Sequence, residues 1–516
     1  MLNVLLDKNA IFRTLIFVLL SSFNLSLLIG KAEAQVKLAT VFADSMVIQR
    51  EQPINIWGTA SENEQIAVVF KDETYYGQAD KNGNWLIRLP SQSVATEQSL
   101  KVVGQNTLEI KNIAFGDVFL AGGQSNMGFK LKEVFSKFPN ETNLSDYPDV
   151  RHFKVKRHYN FSGPQQDIEG GHWQTARAGT VGNFSAVAWF FAKDLYQKYK
   201  VPIGIISSSV GSTPADSWMS IESLKDFPDA QALAYKLGND DYVKQLKNEY
   251  QQERQAWRKQ NPNKKKIPFI LMHRTSLDFK PTGFYNAMIA PLKSMKFAGV
   301  IWYQGESNAR SPKNYAKQFT ELISLWRDLF SQPKLPFMFV QIANFQMPDE
   351  NPAESKWAEL RAEQTHVANT VENTAMVLAI DAGERHNIHP LDKKTVGERL
   401  ALAARNLIYG EKQLNYTSPL VDKAVVNNGL VTISFKHVNK GLLVKGDELF
   451  GFAIAAEDKE FTWANAKLES NKVTIWHDSI KAPKYVRYAW ATNPENANLY
   501  NDQGLPATPF SIALKY

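Results

Sequence analysis

The chain contains no cysteine among its 516 residues. This absence excludes disulfide bonds, and it also excludes the attachment of a lipid to a cysteine after an export signal. An exported chain without disulfides must be stabilised by the hydrophobic cores of its own domains. Because a chain of this length is too long for a single core, we expect about two to four domains.

Long hydrophobic runs are lacking beyond the first 34 residues. Within those residues, Lys8 and Arg13 precede an apolar run over Leu15–Ile29, and Ala32–Ala34 has the small-x-small form of a cleavage site. This is the pattern of a secretory signal, and no later run reaches the ~20 apolar residues of a membrane-spanning helix. The sequence therefore predicts a signal peptide over residues 1–34, cleaved after Ala34, and a secreted or periplasmic protein without a membrane anchor.

Dense positive charge is scarce, although the formal net charge is +7. The one compact basic run is Lys264–Lys266, flanked by Pro262 and Pro268, which is typical of a solvated loop. Without a basic face on a recognisable nucleic-acid-binding fold, nucleic acid is not expected as a partner. No cluster of His, Asp and Glu has the spacing of a catalytic metal site, so no metal is expected either.

The hydrophobic pattern changes twice along the chain. Residues 35–112 contain short alternating runs such as Ile66–Phe70, which favour a small β-sandwich-like domain. Residues 113–410 alternate short apolar runs with helical periodicity, which predicts a three-layer α/β/α domain around a parallel sheet. A polar segment at about 220–265 is predicted as a helical excursion from this domain, and residues 411–516 as a C-terminal β domain.

A glycine turn follows the strand-like run Val118–Ala121 and reads Gly-Gly-Gln-Ser-Asn-Met over Gly122–Met127. The nucleophilic serine of an α/β esterase occupies such a position, at the carboxyl end of a strand with its backbone N–H free to face an oxyanion. A glycine-flanked serine after a strand is more often only a turn, and it is the later segments that favour catalysis. We therefore predict Ser125 as the nucleophile and as one oxyanion donor.

Ester hydrolysis through a serine also requires a base that takes the hydroxyl proton. His389 lies in a loop beyond a strand-like run that ends near Asp381. The loop can return over the carboxyl edge of the sheet toward Ser125, and Pro390 fixes the backbone just after the histidine. We predict His389 as the base in preference to the nearby His386.

Two further segments supply candidate donors for the oxyanion. The backbone N–H of Gly211 is one, because a residue without a side chain lets an acyl oxygen approach. The side-chain amide of Gln304 is the other. The alternatives are a plain tight turn at Gly211 and an amide that bridges loops at Gln304. Glu306 and Asn308 are expected to hold the loop of Gln304 in place.

Taken together, these segments resemble the sialate O-acetylesterases and neighbouring carbohydrate acetylesterases of the SGNH hydrolase superfamily. In chain order, the matching segments are Gly123–Met127, Gly211–Trp218, Phe284–Leu292, Trp302–Asn308, Ile388–Pro390 and Val396–Leu400. The β-type segment before them is also similar. The resemblance implies an SGNH-type α/β/α domain and a Ser–His hydrolase that removes acetyl groups from sugar hydroxyls without a metal or organic cofactor.

The sequence leaves the acid of a catalytic triad open. SGNH enzymes usually carry Asp three residues before the histidine, where this chain has His386. Sialate esterases often have an acidic residue directly before Ile-His-Pro, where this chain has Asn387. Asp381 or Glu384 could reach back to orient His389, and otherwise a backbone carbonyl or water does so.

The expected partner is an acetylated sugar or oligosaccharide, and both O-acetylated sialic acid and acetylated xylan are compatible with these residues. Trp218, Tyr285 and Trp302 are candidates for contact with a sugar ring, with core packing as the alternative for each. Gln124 and Asn126 are expected either to contact substrate or to support the catalytic residues. The oligomeric state is left open.

Two other functions are weighed against the esterase. A catalytically weak carbohydrate-binding protein is suggested by the missing Asp and by the flanking β domains. A lipase is disfavoured, because the chain has neither a Gly-x-Ser-x-Gly run nor an apolar segment that could serve as a lid.

Overall fold

The computed structural model describes residues 35–143 and 147–515. The predicted signal peptide lies outside these ranges, so its cleavage and the export of the protein stay predictions. No helix within the described ranges is both long enough and apolar enough to cross a membrane. The chain divides into two units, and the smaller one contains Ile56–Ile87 and Leu100–Glu109. The larger unit contains Ala39–Asn55, Arg88–Ser99 and the chain from Ile110 onward.

The N-terminal part of the chain contains short strands, and those of the smaller unit pair antiparallel. Strands β1 to β7 lie at Lys37–Leu38, Val47–Gln49, Ile54–Thr59, Gln65–Phe70, Glu73–Gln78, Asn84–Leu89 and Ala95–Val103. In this unit β4 pairs antiparallel with β5 and with β7, and β1 pairs with β3. Alternate residues of β4 are buried, namely Ile66, Val68 and Phe70. The alternating pattern in the sequence therefore corresponds to strands with one buried face.

The larger unit is organised around a central sheet. Its strands β8 to β14 lie at Thr107–Gly123, Tyr147–Lys154, Trp173–Ala176, Ile203–Ser209, Gly299–Tyr303, Phe337–Gln341 and Thr374–Leu378. Their order across the sheet is β10-β9-β11-β8-β12-β13-β14. Neighbours are parallel except at β10, which pairs antiparallel with β9. The α/β fold expected from the sequence is confirmed, with a mixed sheet in place of a purely parallel one.

Helices cover both faces of this sheet. Helices α1 to α8 lie at Ser125–Gly128, Ala186–Tyr199, Pro228–Leu237, Asp240–Gln260, Phe269–Arg274, Tyr315–Leu329, Lys356–Thr370 and Lys393–Leu407. Ile301 packs in one core with residues of α2 and α8. Its neighbour Trp302 instead contacts Phe319 and Trp326 of α6. Because successive side chains of a strand point to opposite faces, these contacts define three layers.

Two local features support this arrangement. Helices α2 and α8 approach closely at Gly397, where an added Cβ would lie 2.7 Å from the Cβ of Phe190. Helices α3 and α4 lie in the segment that the sequence predicts as a helical excursion. In α4, Asn239 accepts hydrogen bonds from the N–H groups of Asp241 and Tyr242. This side chain therefore satisfies part of the helix's unpaired N-terminal donors.

The C-terminal part is rich in β-structure. Strands β15 to β24 lie at Leu420–Asn427, Leu430–Lys436, Leu442–Val444, Phe452–Ala455, Thr462–Trp463, Asn465–Glu469, Lys472–Trp476, Tyr485–Tyr488, Leu499–Asn501 and Phe510–Ala513. They form sheets of order β15-β16-β21-β20, β19-β18-β22-β24 and β17-β23. These strands belong to the larger unit, and the domain boundaries drawn from the sequence stay predictions.

Candidate active site

Ser125 is the first residue of the short helix α1, directly after the turn that ends β8. Glycine is required in this turn because the neighbouring strand is close. A Cβ at Gly123, whose φ is +128°, would lie 2.2 Å from the carbonyl oxygen of Tyr303. At Gly122 a Cβ would lie 2.9 Å from the ring of Trp302. The two glycines thus let β8 run tightly beside β12 and deliver Ser125 to the carboxyl edge of the sheet.

His389 lies in the loop that follows β14, at the same edge. Its Nε2 atom is 2.7 Å from the Oγ atom of Ser125, and its ring stacks on Phe129 with a centroid distance of 5.7 Å. Burial lowers the pKa of His389 and the cation of Lys393 lowers it further, while Glu133 partly offsets both. The imidazole is therefore kept neutral near neutral pH, in the form that can accept the proton of a hydroxyl group.

A buried hydrogen-bond network connects the loops of these two residues. The side-chain amide of Asn126 donates to the carbonyl of Ile388 over 3.1 Å and to the carboxylate of Glu306 over 2.5 Å. Lys393 Nζ donates to the side-chain oxygen of Asn126 over 2.6 Å. Asn126 is 1% exposed and Lys393 is 0% exposed. The residue after Ser125 is thereby tied to the residue before His389.

Burial shifts the pKa values of the ionisable groups in this network. It lowers the pKa of Lys393 to about 7 and raises the pKa of Glu306. The Lys393 cation lies 5.1 Å from the ring centre of Phe129 and 5.7 Å from that of Tyr303. One carboxylate oxygen of Glu306, Oε2, has no hydrogen-bond partner among the described residues. Glu306 was expected to support its own loop, and the structure joins it to Asn126 as well.

Lys393 was not among the site residues predicted from the sequence. It is the first residue of helix α8 and follows the N-cap Asp392. A cation in the first turn of a helix is disfavoured by the helix dipole. A lysine in that position, three residues after Pro390, was the signal available in the sequence.

Gly211 lies beside Ser125, as predicted for an oxyanion donor. It follows β11, whose last residue Ser209 pairs with Gly123, and Val210 N–H donates to the carbonyl of Gly123 over 3.1 Å. A Cβ at Gly211 would lie 3.3 Å from the Cβ of Ser125. The absence of a side chain leaves room for a small group next to the hydroxyl.

The side-chain amide of Gln304 is not free to donate to an oxyanion. Its side-chain NH₂ donates to the carbonyl of Thr213 over 3.1 Å and to Asn308 Oδ1 over 2.7 Å, and its oxygen accepts from Tyr315 Oη. The residue is 0% exposed. Both amide hydrogens are therefore engaged within the protein. The structure matches the alternative considered for Gln304, an amide that bridges loops.

Gln124 and Asn308 also order these loops. Gln124 is 3% exposed, and its side-chain oxygen accepts hydrogen bonds from the N–H groups of Gly305 and Ser307. Asn308 accepts from Ala215 N–H over 3.1 Å. Each side chain therefore holds the backbone of a loop near the candidate catalytic residues, with Gln124 buried and Asn308 partly buried.

The two acid candidates bind other groups. Asp381 forms hydrogen bonds of 2.6 and 2.9 Å with the guanidinium of Arg399. Burial opposes ionisation of this carboxyl, but Arg399 dominates and lowers the pKa of Asp381. Glu384 accepts from Leu391 N–H over 2.7 Å and from the amide of Asn387 over 3.3 Å. Neither carboxylate is bonded to His389, so of the alternatives left open by the sequence, a reach-back of Asp381 or Glu384 does not occur in this structure.

Glu133 is the acidic residue whose charge acts on His389. It lies far before His389 in the chain. Its carboxylate accepts a hydrogen bond from Lys130 N–H over 2.7 Å. Among the described residues, no carboxylate is hydrogen-bonded to the imidazole of His389. The backbone N–H of His389 donates to Asn387 Oδ1 over 3.0 Å. The loop is thus shaped through Glu384 and Asn387, and nothing in the sequence pattern pointed to Glu133.

The three aromatic residues proposed to contact a sugar are buried. Trp218 and Trp302 are 0% exposed and Tyr285 is 5% exposed. The Trp218 ring stacks on Phe284 at 5.3 Å, and its indole N–H donates to Thr213 Oγ1 over 2.9 Å. The alternative of core packing is therefore correct for these residues, and Trp218 supports the turn after Gly211. Within the described ranges no group of three or more His, Cys, Asp or Glu side chains could hold a metal ion.

Comparison with known proteins agrees with this geometry. A family model described as "Carbohydrate esterase, sialic acid-specific acetylesterase" matches residues 115–406. The sialate O-acetylesterase of Mus musculus is 30% identical over 93% of this chain and 95% of its own length. That of Homo sapiens is 28% identical over 92% of each. A crystal structure of a carbohydrate acetylesterase from Xanthomonas citri aligns with a TM-score of 0.79 and 34% identity, covering 92% of this chain and 99% of that one.

The matched segment contains the candidate pair and the network around it, from β8 through helix α8. The resemblance drawn from the motifs is thereby confirmed. This chain belongs to the sialic acid-specific acetylesterase family of carbohydrate esterases and is a carboxylic ester hydrolase.

Proposed function

We propose that this protein is a serine esterase that removes O-acetyl groups from a carbohydrate, with O-acetylated sialic acid as its substrate. The observation that carries the proposal is the 2.7 Å separation between Ser125 Oγ and His389 Nε2. Support for sialic acid comes from the similar proteins of Mus musculus and Rattus norvegicus, which are sialate O-acetylesterases. Acetylated plant polysaccharide is the second candidate, since the similar solved structure is described more broadly as a carbohydrate acetylesterase.

In the proposed reaction, Ser125 is the nucleophile and His389 is the base. Nε2 of His389 takes the hydroxyl proton as Ser125 Oγ bonds to the carbonyl carbon of the acetyl ester. The intermediate collapses when the sugar oxygen leaves with the proton from His389. Water, deprotonated by the same imidazole, then attacks the acetyl-serine, and acetate leaves as Ser125 recovers its proton.

The oxyanion of each tetrahedral intermediate is assigned to the backbone N–H groups of Ser125 and Gly211. The close approach of Gly211 to Ser125 supports this assignment. Preorganised N–H donors stabilise charge that develops in the transition state, and the loss of one typically lowers kcat about a hundredfold to a thousandfold. Gln304 could join only if its amide left Thr213 and Asn308, so the proposal assigns it to holding the loop.

The orientation of His389 is assigned to packing and to backbone contacts. Phe129 stacks on the imidazole, and Asn387 fixes the backbone N–H of His389. We infer a Ser–His pair supported electrostatically by Glu133, without a carboxylate bonded to the imidazole. We further propose that the protein is exported, with residues 1–34 removed. N-terminal sequencing of the mature protein tests this, and a start at Gln35 is expected.

The proposal is tested by acetate release from O-acetylated sialic acid, acetylxylan and acetylated glucomannan. The purified full chain is compared with Ser125→Ala, which should release no acetate from any of them above background. Fastest turnover on sialic acid is expected. Faster turnover on acetylxylan would assign the enzyme to plant polysaccharides, and no release from any ester, including 4-nitrophenyl acetate, would favour a carbohydrate-binding protein.

A further inference from the structure

A cavity of about 300 Å³ in the larger unit stands apart from the residues described so far. The loop after β13 contributes Pro348 and Asp349, and the β-rich C-terminal part contributes Phe450, Trp463 and Trp490. Phe450 is 50% exposed and Trp463 is 41% exposed. Such exposure is uncommon for large aromatic side chains and, in a concave site, indicates ligand binding. We refer to it as the aromatic cavity.

Hydrogen bonds hold the parts of this cavity in place. The indole N–H of Trp463 donates to the carbonyl of Glu350 over 2.8 Å, and strand β19, which contains Trp463, pairs with β18. The backbone N–H of Phe450 donates to Asn498 Oδ1 over 2.9 Å. The guanidinium of Arg487 lies 5.4 Å from the ring centre of Trp490. Because the Trp463 ring is held by its own hydrogen bond, a ligand that stacks on it loses little affinity to the ordering of that side chain.

The aromatic cavity adjoins the loop that carries His389. A second cavity of about 290 Å³ shares Ala489, Pro494 and Ala497 with it. The second cavity is also lined by Gly383 and Arg385 of the His389 loop. The loops after β13 and β14 leave the same edge of the parallel sheet, so residues that line both cavities lie in loops that start at the edge where Ser125 and His389 meet.

These two loops are also bonded to each other. Asn344, in the loop after β13, accepts a hydrogen bond from Gly383 N–H over 2.7 Å and donates to Asn493 over 2.8 Å. Phe345 forms a bridge with Glu384. The position of the aromatic cavity is therefore fixed relative to the His389 loop.

We propose that the aromatic cavity binds a pyranose ring of the glycan whose acetyl ester is hydrolysed at Ser125. A pyranose presents an apolar face of C–H groups that stacks on an aromatic ring, and hydroxyls at its edge that need polar partners. Trp463 and Phe450 supply the rings, while the exposed side chains of Asp349 and Asn496 supply polar groups at the rim. The acetylated sugar then binds most tightly as part of an oligosaccharide or a polysaccharide, because a free acetylated monosaccharide at Ser125 lacks this second contact.

The size of the aromatic cavity favours a sugar over a protein partner. Its volume is at the lower end of the ~300–1,000 Å³ typical of small-molecule sites. A stable protein partner usually buries about 800 Å² on each side, which is a far larger surface than this concavity offers. The inference rests on the proposed function, because the two sites are assigned to one glycan.

Binding is measured by calorimetry on the full chain carrying Ser125→Ala, so that no ester is turned over. Xylohexaose and 3′-sialyllactose are the two probes, and they separate a plant polysaccharide from a sialylated glycan as the source of the ring. At least one probe should bind, and adding Trp463→Ala should weaken its Kd about tenfold. Tyr235→Ala, which removes an aromatic ring that is 65% exposed outside the cavity, should leave Kd unchanged.

A kinetic measurement uses the enzyme with Ser125 intact. Trp463→Ala should hydrolyse 4-nitrophenyl acetate at the wild-type rate and show a raised KM on the acetylated form of the glycan that binds, with kcat unchanged. Trp463→Phe, which keeps a ring, should retain most of the affinity. If Trp463→Ala does not fold, Phe450→Ala replaces it, with the same expectations.

The outcomes separate this inference from the proposed function. Binding of neither probe, or equal binding with and without Trp463, overturns the aromatic cavity as a sugar site even if the esterase is active. Undiminished hydrolysis by Ser125→Ala would instead overturn the proposed mechanism, whatever the binding data show.

Discussion

The side chain of Asn126 donates a hydrogen bond of 3.1 Å to the backbone carbonyl of Ile388. Asn126 follows Ser125 and Ile388 precedes His389, so one bond joins the neighbours of both candidate catalytic residues. The bond is partly buried and is reinforced by the buried hydrogen bonds of Asn126 with Lys393 and Glu306. The 2.7 Å geometry of Ser125 and His389 is therefore maintained by the protein framework, without a carboxylate on the imidazole.

Ser125→Ala and His389→Ala should each lower kcat about 10⁴-fold or more, because nucleophile and base act as one unit. The double variant should be little worse than either single one. His386→Ala is the matched control, since His386 is exposed and lies in the same loop. Steady-state kinetics on 4-nitrophenyl acetate measures all four proteins. A Ser125→Ala enzyme within tenfold of wild type would remove Ser125 from the mechanism.

Gly211→Ala should lower kcat roughly tenfold to a hundredfold while the protein stays folded. The new methyl group would lie 3.3 Å from Ser125 Cβ and occupy the space assigned to the acyl oxygen. Gly182→Ala serves as control, because its added Cβ would make only ordinary contacts, the nearest at 3.4 Å. Equal rates for the two variants would contradict the role assigned to Gly211.

Lys393→Met should move the acid limb of the kcat/KM–pH profile to higher pH. His389 must be neutral to act as base, so activity is lost as pH falls through its pKa. Burial and then Lys393 hold that pKa below 6.5. Removing the cation raises the pKa and the rate then falls at a higher pH. Loss of the bond to Asn126 should also lower kcat, roughly tenfold.

Lys394→Met is the matched control for this shift, since Lys394 has a side chain that is 47% exposed and forms an ion pair with Glu398. Its pH profile should overlay that of the wild type. A Lys393→Met enzyme with an unshifted acid limb would show that the cation does not act on His389, even if kcat falls.

Glu133→Gln should move the same limb in the opposite direction. The charge of Glu133 raises the pKa of His389, so its removal lets the pKa fall and extends activity to lower pH. The hydrogen bond to Lys130 N–H can be kept by the amide oxygen, which limits structural damage. A large loss of kcat at all pH values would instead indicate that Glu133 orients the imidazole directly.

Asp381→Asn should destabilise the fold more than it slows the chemistry. Its carboxylate is paired with Arg399, with side chains 19% and 10% exposed, and breaking such a pair costs about 2–4 kcal/mol of the free energy of unfolding. The pKa of Asp381 is lowered in the folded state. The pair therefore stabilises the fold above pH ~4, and this stability is lost as pH falls further.

Urea unfolding at pH 7 and in acid measures this effect, and the Asn variant should lose less stability on acidification than the wild type does. Glu384→Gln is the comparison within the same loop. Its bonds to Leu391 N–H and Asn387 shape the loop around His389, so its loss should appear in kcat rather than in stability. A folded Asp381→Asn enzyme that is as inactive as Ser125→Ala would mean a full triad.

The sequence determined the features that depend on a few consecutive residues. A strand followed by glycine, Gln124 and Ser125 favours a tight turn that ends with the serine at the sheet edge, and the loop of His389 also follows a strand. Parallel strands bring their carboxyl ends together, so the meeting of Ser125 and His389 could be predicted. Helical periodicity likewise predicted the layers around the sheet.

The tertiary structure decided the partners of each polar group and which aromatic rings are covered. Gln304 has the composition of an oxyanion donor, but Thr213, 91 residues away in the chain, takes one of its hydrogens. Trp218 is covered by core packing, whereas Trp463 remains exposed in the aromatic cavity. Glu133 lies far from His389 in the chain and acts on it only because the fold brings the two residues close together. Hydrogen bonds, burial and charge depend on distance in space, and a linear sequence records distance only between near neighbours along the chain.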